Sequence, residues 1–164
     1  MSDALCQVRP ADASDAAAVA DLASELAQSF TFARVRFDRS YPALLAADHA
    51  CLLLAVNGDD RLGYLLGFEH LTFYANGPVA WVEEVFVGGQ HRGCGVSRAL
   101  MSAYERWATS RDCALVALAT RRAAPFYRAL GYEESAIYHR KILDARAGQW
   151  PVRGTCWRFR GNAL

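Results

Sequence analysis

The chain has 164 residues, 53% hydrophobic and 21% charged, with a formal net charge of +1. That length and mix suit one domain around one core. The near-neutral balance excludes the electrostatic signature of a nucleic-acid or membrane-surface binder.

The opening MSDALCQVRP has no apolar h-region, and no apolar stretch is long enough to span a bilayer, so a cytoplasmic protein without a membrane or nucleic-acid partner is expected. Cys6–Arg9 reads as a first strand. Ser14 or Asp15 can cap a helix whose apolar stripe is Val19, Leu22, Ala23, Leu26 and Phe30. The Arg-rich piece Arg34–Arg39 reads as a solvated face. Ser40 with Pro42 predicts the start of a short second helix through Leu44 and Leu45. Cys51–Val56 is a continuous apolar run, closed by the turn Asn57-Gly58-Asp59. Leu62–Thr72 and Val79–Val87 read as two strands with Asn76-Gly77 between them, a hairpin signal because both residues tolerate positive φ.

A Gly-rich loop follows, and then a helix with Val96, Leu100, Ala103, Tyr104 and Trp107 on one face. Ala114–Thr120 reads as a buried strand. Pro125 fits the first turn of a short helix that Gly131 ends, and Ser135–Ile142 predicts a last strand. The whole chain, 1–164, reads as a single domain. Its segment 144–164 is a tail carrying Trp150, Trp157 and Phe159, and so much apolar surface predicts packing on the domain or on a second copy as a homodimer.

Five cysteines, at 6, 51, 94, 113 and 156, form no C-x-x-C pair. This argues against a disulfide framework or a zinc site, and no metal is expected. His49, His70 and His139 have no ligand spacing.

Chemistry concentrates in VEEVFVGGQHRGCGVS, residues 82–97. Glycines at a strand-to-helix junction let the backbone turn and let a ligand approach the amides. The first turn of a helix adds free N–H groups and partial positive charge, so the junction is suited to an anion. A dinucleotide fingerprint would need glycine at Arg98, and a P-loop would need lysine at Cys94; both fail. What remains is Q-x-x-G-x-G at Gln90, Gly93 and Gly95, with a plain tight turn as the alternative.

That loop, set between a strand and an amphipathic helix, resembles the acetyl-CoA pyrophosphate loop of the GNAT superfamily of N-acyltransferases. The segment TRRAAPFYRALGY, Thr120–Tyr132, is similar to the family's N-x-x-A-x-x-x-Y-x-x-x-G-F: Ala123, Tyr127 and Gly131 match, Thr120 replaces Asn and Tyr132 replaces Phe. Val8–Asp15 also resembles the family's opening, so the resemblance runs over residues 8–140. It implies an α/β fold, a GNAT-like mixed and mostly antiparallel sheet with a strand–loop–helix–strand acyl-CoA-binding unit. It implies acetyl-CoA as co-substrate. The residues implied to hold it are Gln90 and the amides of Arg92, Gly93, Cys94, Gly95, Val96, Ser97 and Arg98 at the pyrophosphate. The backbone of Val85, Phe86 and Val87, with Thr120, would hold the pantetheine arm.

Two adjacent carboxylates in an apolar strand are costly unless paired or solvated, so their strand is expected to line a wet cleft. In a regular strand Glu83 and Glu84 point to opposite faces, and a bulge would change this. VEEVFV resembles the corresponding strand of diamine and other small-amine acetyltransferases. By that match Glu83 is the catalytic carboxylate and Glu84 an amine-binding one. An amine is protonated near neutral pH and must lose a proton before it attacks a thioester, which a carboxylate can accept. The alternative for either is an ion pair with a nearby Arg or an exposed strand end. Tyr127 is implied to be the acid that protonates the leaving thiolate; the alternative is a core aromatic with Phe126 and Leu130. Cys94 as a nucleophile is the lesser reading, since direct transfer in a ternary complex needs no acyl-enzyme.

The expected function is therefore acetyl transfer from acetyl-CoA to a primary amine of a small molecule, such as a polyamine or an amino sugar. The alternatives are a protein lysine or N-terminal acceptor, or a catalytically silent acyl-CoA-binding module. Acceptor contacts are expected from the first two helices and the loop around Phe73–Pro78.

Overall fold

The computed structural model describes residues 6–27, 31–141 and 143. The expectations for Phe30, Ile142 and the tail 144–164 lie outside the described residues. A sheet of five strands forms the middle layer, in chain order β1 (Gln7–Pro10), β2 (Ala50–Asn57), β3 (Asp60–Thr72), β4 (Gly77–Val87) and β5 (Val116–Leu118). β1 to β4 pair antiparallel, and β5 joins β4 in parallel.

Helices cover both faces, which is why β2 reads as a continuous apolar run. Leu52, Leu54 and Val56 pack with Val19 and Leu22 of α1 (Ala16–Leu26) and Tyr41 of α2 (Arg34–Leu45). Cys51, Leu53 and Ala55 face Leu100, Met101 and Tyr104 of α3 (Val96–Ser110). A short α4 (Ala124–Arg128) ends near Gly131, whose φ is 91°. No helix among the described residues is long and apolar enough to cross a membrane.

α1 and α2 are anchored through an ion pair between buried Asp15 and half-buried Arg9. Asp15 accepts two hydrogen bonds from the Arg9 guanidinium, at 2.6 and 2.8 Å, and one from the Asp12 amide at 3.0 Å. Tyr41 of α2 donates to the Asp12 carbonyl at 2.7 Å, tying the second helix to the same corner.

Four sequence expectations need correction. The buried strand expected over Ala114–Thr120 spans only Val116–Leu118, whose residues are half-buried. The second helix starts at Arg34, not at Ser40, and Pro42 lies inside it. Phe37 and Tyr41 give it an inward stripe at i, i+4, and the arginines of the stretch read as a solvated face, Arg34, Arg36 and Arg39, are exposed on that helix. The hairpin loop is four residues, 73–76, because Gly77 already pairs with Thr72; Asn76 alone of the Asn-Gly pair takes positive φ, at 58°. Residues 135–141 form no strand. Every residue from 133 to 141 is exposed, so alternation there has no core face to bury.

Candidate functional site

β4 carries a bulge at the two carboxylates. Gly67 pairs with Val82 and Leu66 with Glu84, which leaves Glu83 as the extra residue. Ahead of the bulge Ala80 and Val82 face the α3 layer; beyond it Val85 and Val87 do. The parity switch falls on the two residues between. Glu83 and Glu84 therefore both line one cleft, a cavity of about 1020 Å³ walled by α1, α2, β3 and β4. No residue from Phe73 to Pro78, where acceptor contacts were expected, lines it.

The carboxylates are held differently. Glu84 is half-buried and accepts a 2.5 Å hydrogen bond from the hydroxyl of Tyr64, which is fully buried. Burial and the Glu84 charge both push the Tyr64 phenol upward, so it stays a donor. Glu83 is exposed and accepts from the Trp81 indole at 3.1 Å. Neither takes part in the ion pairs of the described residues, which involve Asp12, Asp15, Asp38, Glu69 and Glu134. Sequence reading missed Tyr64 and Trp81. The available signal was their positions as polar-tipped aromatics on the two strands that carry or face the carboxylates.

Beyond Val82 the sheet opens. The β4–β5 ladder ends at Val82–Leu118, while β4 runs on to Val87. The edge of Val85, Phe86 and Val87 is thus free of β5, although the Phe86 and Val87 side chains are buried. After β4 a turn over Gly89–His91 leads to Gly93 (φ 78°) and Gly95 (φ 80°). Side chains are disfavoured in this backbone region, and a Cβ at either glycine would meet nothing within 4 Å. Gly95 is the N-cap of α3 and has no side-chain cap; the first helical bond runs from the Ala99 amide to its carbonyl. The N–H groups of Val96, Ser97 and Arg98 precede that bond and face outward from the helix end. The Val96 side chain is buried, so only its backbone is at the surface of the loop.

Arg92 is partly structural: its guanidinium donates to the Val87 carbonyl at 3.2 Å and lies 5.6 Å from the Phe86 ring centre. Gln90 and Arg98 are exposed, as is Cys94, whose thiol lies 3.7 Å from the Arg92 carbonyl. Among the described residues, open space above two left-handed glycines, an uncapped helix end and an unpaired strand edge together fit an elongated ligand with an anionic end.

Thr120 lines the cleft, and its hydroxyl accepts the Ala123 amide at 3.0 Å, closing the turn into α4. Tyr127 does not line the cleft. It packs edge-on to Phe126 and Tyr132, with ring centres 5.0 and 5.8 Å away, against the α3 layer. Burial raises its phenol above the usual value near 10. The structure thus brings Glu83, Glu84 and Thr120 together at one cleft and leaves Tyr127 in the aromatic cluster against the α3 layer. No cluster of three or more potential metal-ligating side chains occurs among the described residues.

Residues 19–132 match the profile of the Acetyltransferase (GNAT) family. An aminoglycoside N(6')-acetyltransferase type 1 of Salmonella typhimurium is 32% identical over 111 residues, 60% of this chain and 74% of the relative. Among solved structures, glucosamine-6-phosphate N-acetyltransferase from Arabidopsis thaliana superposes with a TM-score of 0.75 at 19% identity, over 85% of this chain and 99% of the other. AAC(6')-Iy in complex with the bisubstrate analog CoA-S-monomethyl-acetylneamine gives 0.71 at 23%, over 84% and 98%.

Proposed function

Because the chain belongs to the GNAT acetyltransferase family, we propose that it moves an acetyl group from acetyl-CoA to a primary amine of a small molecule, by direct attack in a ternary complex. The observation that carries this reading is the bulge, which sets two carboxylates side by side in a cleft of small-molecule size. The aminoglycoside acceptor in the names of the sequence relatives supports a small-molecule amine.

The cofactor-binding residues are the open edge of Val85–Val87, Thr120, Gln90 and the backbone from Arg92 to Arg98. Bound acetyl-CoA supplies the acyl group as an activated thioester. Glu84, fixed by Tyr64, attracts the ammonium of the acceptor. Glu83, more exposed and steadied by Trp81, accepts its proton directly or through water. Tyr127 stays protonated at neutral pH and donates to the departing sulfur.

The test is calorimetric titration of the folded protein with CoA, followed by a thiol-release assay against an amine panel. The expected affinity is micromolar, the range of ordinary enzyme substrates, and Gly95→Val weakens it by straining the loop and filling the approach to the amides. A folded wild type that binds no CoA would overturn the proposal.

A further inference from the structure

Three arginines share the cleft with the two bulge carboxylates. Arg36 comes from the first turn of α2, Arg121 follows β5, and Arg140 belongs to the exposed stretch after α4. All three are solvent-exposed, and with Glu83 and Glu84 they are the Asp, Glu, Lys and Arg side chains that line the cavity among the described residues. Among the described residues, guanidinium groups therefore outnumber carboxylates on this wall. Arg121 and Arg140 have interactions of their own, but a guanidinium carries five N–H donors and can take an anion while paired. Much of the remaining wall is aromatic, including Phe32, Phe37, Tyr41, Trp81 and Tyr138.

This charge pattern bears on the acceptor. A polycation, such as an aminoglycoside or a polyamine, brings several ammonium groups. One can meet the bulge, and the others then face guanidinium groups of the same charge across the cleft. An amine that also carries an anion matches both charges at once, because carboxylate and phosphate oxygens take paired N–H bonds from a guanidinium.

Resting on the acetyltransferase reading of the cleft, we infer that the acceptor is an amphoteric small molecule: a primary amine and a carboxylate or phosphate group on an apolar or aromatic body. Glu83 and Glu84 receive the amine. Arg36, Arg121 and Arg140 receive the anion. The aromatic wall takes the body between them.

The experiment uses the full chain, acetyl-CoA and matched acceptors. One pair is 4-(aminomethyl)benzoate and its amide; a second is tyramine O-phosphate and tyramine; neamine and spermidine are the polycations. The anionic member of at least one pair is expected to show a KM about tenfold below its neutral partner, the worth of one good charge-assisted contact. Which pair responds names the anion. Arg36→Gln narrows that gap, Arg36→Lys restores part of it, and Arg36→Glu moves the preference toward neamine. Because Arg36 is exposed, its variants should keep the wild-type Tm, and the melt is run beside the kinetics. Equal KM values within both pairs, or a preference for neamine or spermidine, would overturn the inference and leave the acetyltransferase reading standing. A protein that binds CoA but acetylates no amine would overturn both.

Discussion

Tyr104 fills the space that a side chain at position 67 would need. A Cβ on Gly67 would lie 2.4 Å from the ring and hydroxyl of Tyr104. Through that gap the fully buried phenol meets the carbonyls of Trp81 at 3.0 Å and Phe68 at 3.2 Å, the strand pair next to the bulge. The helix that starts at the Gly-rich loop thereby grips the strand that bears the carboxylates.

Gly67→Ala is expected to overpack this contact at a cost of about 1–3 kcal/mol, seen as a Tm lower by several degrees. Tyr104→Phe keeps the ring and removes the donor, costing about 1 kcal/mol. It should also lower kcat at saturating acceptor, since the bulge loses its tether. A wild-type Tm in Gly67→Ala would mean that α3 yields without strain.

Glu83 and Glu84 should separate by pH. Glu83→Gln is expected to lower kcat/KM by about 10²–10⁴-fold below the acceptor's own pKa. The defect shrinks as pH rises and free amine becomes abundant. Glu84→Gln should instead raise KM for the ammonium form, while Glu84→Ala adds a stability loss of about 1–3 kcal/mol by leaving the Tyr64 hydroxyl without its acceptor. The checks are pH–rate profiles beside thermal melts. A pH-independent loss in Glu83→Gln with a large fall in Tm would make that carboxylate structural.

Tyr127→Phe should lower kcat and leave the CoA dissociation constant alone. Burial raises the phenol above its ordinary value of 10.0, so the protonated form persists through neutral pH. Any alkaline fall in wild-type kcat due to this group must then lie above pH 10. Unchanged kcat at every pH would return Tyr127 to the aromatic cluster it forms with Phe126 and Tyr132.

Asp15 makes acid stability testable. The Arg9 guanidinium first, then the Asp12 amide and Arg61, outweigh burial and hold its carboxyl at about 2, below the ordinary 3.8. Its folded value is depressed, so the stabilisation is complete above about pH 4 and drains away as pH falls toward 2. It amounts to about 2 kcal/mol. Urea melts of wild type and Asp15→Asn should therefore differ more at pH 6 than at pH 2.5. An equal gap at both would assign the loss to packing.

Much of this protein is legible locally. Gly58, Gly93, Gly95 and Gly131 all adopt positive φ, where a turn or helix boundary was read, because glycine meets left-handed backbone without a Cβ penalty. The apolar run of β2 and the α3 stripe follow from two- and 3.6-residue periods against layers of core. The motif Q-x-x-G-x-G with the segment Thr120–Tyr132 was enough to indicate the family.

Tertiary structure decided the rest. Pairing register is a property of two strands, so no pattern within VEEVFV tells whether Glu83 and Glu84 diverge or converge; the extra residue opposite Leu66–Gly67 turns both into one cleft. The Tyr64–Glu84 bond spans 20 residues and the Tyr104–Trp81 bond 23, distances over which sequence spacing carries no geometry. Arg36 read as part of a solvated basic stretch, and it became a wall of the cleft only when α2 packed across the sheet with Phe37 and Tyr41 inward. The charge that an acceptor meets is set by which helices converge on the bulge, a relation fixed by the packing of the layers on the sheet.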